Sequence, residues 1–252
     1  MLFQWPDGKD VAVCAAIGGL MFLMASTRNA RLRGLLVSLP IPLTLILWSR
    51  PAMSITAGHV LGIVLLAAFF WGNWALYSVL RVPLVASMAI ATGGYVIVGS
   101  YTRRVTLPPY WPALGCAVVW LLYVVLLYRR HIEAVPPARL PPWLKAAGTF
   151  VVCLFFFSLA RTIGPALATA PLLSYFTVVE CRKCLHTICL EFSRNVIAIV
   201  AYLVVFKLAD KHAFGLRAAL AWAAVLASFA VIGLLGRALR RVPRAAGQPT
   251  AA

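Results

Sequence analysis

The sequence predicts an all-α, polytopic integral membrane protein of about nine transmembrane helices in two inverted four-helix repeats joined by a linker span. Three observations predict it. The chain's 252 residues are 63% hydrophobic and 12% charged, with a mean hydropathy of +0.92, which leaves too little polar surface to cover a soluble globule of this size. Apolar runs recur along the chain at lengths near the roughly 20 residues that cross about 30 Å of hydrocarbon. A proline-bearing apolar segment also occurs twice, as Arg33-Gly-Leu-Leu-Val-Ser-Leu-Pro40-Ile-Pro42-Leu-Thr and as Gly164-Pro165-Ala-Leu-Ala-Thr-Ala-Pro171-Leu-Leu-Ser, with Pro40 and Pro171 131 positions apart. The same offset sets Arg81-Val-Pro against His212-Ala-Phe in the loop before the last apolar run of each half.

In chain order the expected spans are 11–26, 34–48, 57–80, 83–101, 110–128, 146–160, 163–179, 195–209 and 216–236. The first lacks the basic leader and small-residue cleavage site of a secretory signal and is kept as a span. Spans one to four form the first repeat (1–104) and spans six to nine the second (146–236). Between them lie a linker span and a proline-rich polar loop (105–145), and a basic disordered C-terminal tail (237–252) follows. One linker span between two four-span units inverts the second copy.

The net charge of +17 arises from 23 Lys and Arg against 6 Asp and Glu. These basic residues sit between apolar runs, where they set topology and meet anionic headgroups; with no aromatic-basic platform beside them, no nucleic-acid partner is expected. Loops on the C-terminal side carry fifteen of the 23. That bias places the C-terminus in the cytoplasm and the N-terminus outside, in a bacterial inner membrane.

Within the spans, prolines interrupt the helical hydrogen-bond ladder and are tolerated where packing or a cavity compensates. Pro40, Pro42, Pro165 and Pro171 are therefore candidates for a substrate pathway, against the plainer role of kinks that help helices pack. Asn73, in Trp71-Gly72-Asn73-Trp74, is read first as an interhelical hydrogen-bonding group and second as a solute contact. All six acids, Asp7, Asp10, Glu133, Glu180, Glu191 and Asp210, are expected in loops or at span ends, which disfavours proton exchange through an intramembrane carboxylate. Arg161, just before the second proline segment, suits an anionic solute or a headgroup, or serves as a topology signal.

Glu180-Cys181-Arg-Lys-Cys184-Leu-His186-Thr-Ile-Cys189 is the one stretch with metal-ligand chemistry: Cys181, Cys184, His186 and Cys189 have zinc or copper(I) donors at compressed spacing. The alternatives are reactive thiols beside Arg182 and Lys183, or small apolar residues at a helix entrance. No HExxH, GxSxG or phosphate loop occurs, and His59, His131 and His212 stand singly near span edges as solvated side chains, so neither an enzyme nor a cofactor is expected.

The run Asn29-Ala-Arg-Leu-Arg-Gly34-Leu-Leu-Val-Ser-Leu-Pro40-Ile-Pro42-Leu-Thr-Leu-Ile resembles the second span of the small GlpM-like bacterial membrane proteins. The likeness covers about the first hundred residues, and residues 146–236 again through Gly164, Pro165 and Pro171. It implies a four-span unit, here duplicated, and a link to envelope polysaccharide production. The fused inverted pair also looks like the drug/metabolite transporters. The expected function is a transporter-like permease for a small or anionic solute. The alternative is a non-transporting component that scaffolds an envelope biosynthesis or export complex. The expected partners are anionic lipid headgroups, that solute, and a membrane protein complex.

Overall fold

In a computed structural model of the protein, residues 5–27, 36, 38–50, 53–127, 140–173 and 184–241 are described, and every regular element among them is helical. Helix α1 (Gly8–Ser26) starts where the Asp7 carboxylate accepts the Asp10 N–H at 2.8 Å, an N-cap that satisfies one of the orphan donors of the first turn. Its buried face, Val13, Cys14, Ile17, Met21 and Met24, has helical spacing.

The second expected span, 34–48, is interrupted: Leu36 and Ser38 are helical, the chain bends at Leu39, and residues 34, 35 and 37 lie outside the described residues. Helix α2 covers Ile41–Ser49, nine residues, or about 13 Å. Pro40 is its N-cap and Pro42 lies in its first turn. The ring of a proline fixes φ, removes a donor and turns the preceding residue away from helical backbone, so the helix begins only after Pro40.

Helix α3 (Ala57–Asn73) continues through a π-helical turn, Trp74–Val79. At its start the Thr56 N–H donates to His59 Nδ1 at 3.0 Å. Its end is forced by Pro83: Leu80 and Val82 bond back to Ala75 and Leu76, and Arg81 takes a left-handed φ of 58° to turn the chain. Helices α4 (Leu84–Thr102), α5 (Tyr110–Leu127) and α6 (Pro142–Ser158) follow.

The second proline segment is not the expected helix either. After α7 (Ala160–Ile163), Gly164 takes φ +51°, a left-handed conformation that favours glycine, and a short 3₁₀ turn spans Gly164–Thr169. Pro171 lies beyond that turn in non-helical chain, and the rest of the expected span, 174–179, lies outside the described residues. Helix α8 (Cys184–Leu208) begins well before the expected residue 195, and α9 (Phe214–Arg241) runs past residue 236 into the segment expected as a tail.

Among the described residues, five helices are long and apolar enough to cross a membrane: Gly8–Ser26, Ala57–Val79, Leu84–Thr102, Leu185–Leu208 and Phe214–Ala238. Two shorter apolar helices, Tyr110–Val124 and Pro142–Ser158, stand beside them. This is a multi-helix, apolar architecture suited to a membrane, in which the described residues supply five full-length spans where nine are expected.

Helices α1 and α6 pack on each other, with Gly18 against Ala146 and Phe150 and Cys14 against Cys153. As one number rises the other falls, so the two helices are antiparallel. Helices α3 and α8 are antiparallel for the same reason, Phe70 meeting Phe192 and Trp74 meeting His186. Helices α3 and α4, and α8 and α9, form adjacent pairs, while α5 packs on α8 and α3. The two proline-broken segments lie side by side.

Candidate functional site

The broken segments meet at a cavity of about 50 Å³. Pro40, Pro42 and Leu43 form one wall, Thr169, Ala170 and Leu172 another, and Ile63 and Phe70 of α3 with Phe192 and Ile199 of α8 close it. Four chain segments from both halves thus contribute. The lining is mainly apolar, as in most small-solute sites.

Each broken segment is held by helices of the opposite half. On α2, the Thr44 hydroxyl donates to Pro40 O at 2.8 Å, lies 2.9 Å from the Tyr202 hydroxyl of α8 and accepts the Trp222 Nε1–H of α9 at 3.2 Å. Two residues before Pro40, the Ser38 hydroxyl accepts from Asn195 Nδ2 at 3.3 Å. In the other direction, the Tyr95 hydroxyl of α4 donates to Ala166 O at 2.6 Å and lies 3.4 Å from Thr169 Oγ1. Gly62 of α3 leaves room for Thr169: a Cβ there would collide with its Oγ1.

Beside the cavity, α8 carries a charged stretch that sequence reading placed at a span end. Arg194 Nη1 stands 3.0 Å from Glu191 Oε1, with side-chain exposures of 11% and 22%. The correction follows from three helices. Arg194 lies near the middle of the span Leu185–Leu208. Its carbonyl accepts the Trp120 Nε1–H at 2.8 Å, near the middle of α5. The adjoining Phe192 and Ser193 meet Phe70 and Trp71 Nε1 of α3, inside Ala57–Val79. Glu191 and Arg194 therefore lie inside the apolar helix Leu185–Leu208, not at its end. The signal that could have found them is their i,i+3 spacing, which pairs opposite charges on one helix face.

Asp10 lies in the first turn of α1, at the span end as expected, where it is 4% exposed and pairs with Arg50 at 2.9 Å. His59 is a second correction, since it is 1% exposed and bonded to Thr56 rather than solvated.

Among the predicted pathway residues, Pro40 and Pro42 line the cavity, and Pro171 sits between the lining residues Ala170 and Leu172. Pro165 packs at the position of Gly58, away from the lining. Asn73 joins α3 to α4: its Nδ2 donates to Phe69 O at 2.8 Å and its Oδ1 accepts from Ser87 Oγ at 3.1 Å. Arg161 is on α7, its side chain outside the described residues.

Of the predicted metal ligands, Cys181 lies outside the described residues, as does the side chain of Cys184 at the start of α8. His186 sits against Trp71 and Trp74, ring centroids 5.9 and 5.2 Å away, and Cys189 is buried. Among the described residues, no group of three or more His, Cys, Asp or Glu is placed to hold a metal ion.

Comparison with known proteins finds no matching family model, no matching curated protein and no matching solved structure.

Proposed function

We propose that the chain is a transporter-like permease for a small or anionic solute, built from two inverted halves that open alternately around the central cavity. The observation that carries this reading is that both proline-broken segments, one from each half, end at the same cavity. Short broken elements facing each other across a central site suit solute binding, because backbone freed from the helical ladder lines a cavity instead of meeting lipid.

Inversion is supported by the packing. A shift of 131 positions lays α1 on α6, α3 on α8 and α4 on α9, and the first two of these matched pairs run antiparallel. The anionic preference is supported by α2, whose first turn opens at the cavity with no side-chain cap on its N–H groups, a terminus that favours negative charge.

Flux in liposomes tests the reading. Purified protein should admit one or more of a panel of small anions and neutral solutes faster than protein-free vesicles, and Leu43→Trp, which fills the cavity, should reduce that flux at least about tenfold. Absence of flux for the whole panel would leave the non-transporting scaffold as the better account.

A further inference from the structure

From the packing of α1 on α6 we infer that Cys14 and Cys153 form a redox site between the two helices, a dithiol that a lipid-dissolved quinone converts to a disulfide joining the first half of the chain to the second. The inference goes beyond the permease reading and does not depend on it.

The geometry begins at Gly18. A Cβ on that residue would stand 3.1 Å from Ala146 O and 3.6 Å from Phe150 Cβ, so the backbones of α1 and α6 come close together at this crossing. Because the helices are antiparallel, one turn back along α1 and one turn on along α6 lead to Cys14 and Cys153. Their thiols lie within hydrogen-bonding reach of each other, and both residues are 0% exposed. A disulfide needs such an approach, with Cα atoms about 4.4–6.8 Å apart. Two cysteines 139 positions apart in the chain thus meet at one level of one helix pair.

The surroundings choose between the chemistries open to two thiols. Zinc takes four ligands, and among the described residues no third His, Cys, Asp or Glu joins this pair. Copper(I) held by two thiolates would carry a net negative charge, which is costly to bury unpaired, and the cation one turn along α1, Arg50, already faces Asp10. A disulfide is uncharged and needs no further ligand. Exchange with a disulfide dissolved in water requires a thiolate and a clear approach, and this pair is sealed from water. The opposite sides of the same helices, Ala15 and Ala16 on α1 with Val151 and Phe155 on α6, are exposed and suited to lipid. An oxidant carried in the bilayer therefore reaches the seam that a water-borne one does not. Two S–H bonds break and one S–S bond forms, while the two electrons and two protons released reduce the quinone to its quinol.

The consequence follows from where the helices belong. Helix α1 opens the first half and α6 opens the second, with α2 to α5 between them. In the reduced protein packing alone holds α1 on α6. In the oxidised protein the bond closes the chain from Cys14 to Cys153 into one loop, and the two helices can no longer slide or separate.

The full chain, with a protease site inserted between Leu127 and Leu140 and reconstituted in lipid vesicles, tests this. It is treated with a fully substituted benzoquinone bearing an alkyl chain, blocked with excess maleimide, cut and run on a non-reducing gel. The halves should stay joined, at least about tenfold more than after a membrane-permeant reductant, and should come apart in Cys14→Ser and in Cys153→Ser. Glutathione disulfide, confined to water, should leave the thiols free. Peptide mapping of the quinone-treated wild type should find the bond between Cys14 and Cys153, a readout that stands even if a variant or the inserted site prevents folding. Wild-type thiols that remain free after quinone, or a link that persists in Cys14→Ser, overturn the inference. Equal linking by glutathione disulfide overturns the lipid-side route, and stoichiometric copper held by the unlinked wild type and lost in both variants replaces the redox site with a metal site. None of these readouts depends on solute flux, so the permease reading is decided separately.

Discussion

Thr44 on the broken helix α2 lies 2.9 Å from the hydroxyl of Tyr202 on α8, 158 positions away in the chain. The bond crosses from one half of the protein to the other, and Tyr95 to Ala166 crosses back. Each half therefore holds the short proline segment of its counterpart, which ties the geometry of the cavity to the relative position of the halves.

The Tyr202 hydroxyl is expected to contribute modestly. Interhelical hydrogen bonds within membranes average about 0.6 kcal/mol and reach about 1.7. Tyr202→Phe should destabilise the protein within that range, measured by denaturation in mixed micelles, while keeping the ring contact with Phe206. A loss above about 3 kcal/mol would mean that the hydroxyl has a role beyond this bond.

Gly62→Ala should have a larger effect. The added methyl collides with Thr169 Oγ1, so α3 or the 3₁₀ turn must move, at about 1–3 kcal/mol. The double change Gly62→Ala with Thr169→Ala should recover most of the loss, because it removes the atom that is struck. Thermal unfolding of both variants checks this.

Asp10→Asn removes the charge that faces Arg50 at 2.9 Å. Breaking a fully buried pair typically costs about 3–5 kcal/mol; with Arg50 30% exposed, solvent screens part of this and about 1–3 kcal/mol is expected. Reversing the pair, Asp10→Arg with Arg50→Asp, should restore part of the loss, as read from the unfolding midpoint.

At the exposed turn between α8 and α9, the hydrogen bond from Lys207, followed by the charges of Lys207 and Arg217, lowers the carboxyl pKa of Asp210 below its ordinary 3.8. A depressed carboxyl pKa gives stability that is complete above the unfolded value and disappears as pH falls through the folded one. Stability against acid should therefore decline below about pH 3.8 more in wild type than in Asp210→Asn. At neutral pH that variant should lose less than about 1 kcal/mol, since the site is open to water.

The apolar character, most helix positions and the matched proline segments were legible in the sequence, because hydropathy and spacing are local properties. That the two proline segments are short and broken was harder to read. Pro40 and Pro42 allow a helix start as well as a kink, and only the neighbouring Tyr202 and Trp222 determine which backbone is stabilised. Glu191 and Arg194 were misplaced because Cys-Arg-Lys-Cys-Leu-His runs directly into them and the whole stretch has the composition of a loop. On the helix the two charges offset each other, a saving that hydropathy alone does not register. Asn73 was read correctly in its structural alternative, because a deep amide must find partners on a neighbouring helix.

The central claim is that the halves face each other in opposite orientation around one cavity. Single cysteines at Arg104, after α4, and Leu140, before α6, in a background without native cysteines, test it by labelling with a membrane-impermeant maleimide in right-side-out and inverted vesicles. Among the described residues one apolar helix, α5, lies between these positions, and the account has it cross. The account predicts labelling from opposite sides; labelling of both positions from the same side would contradict it.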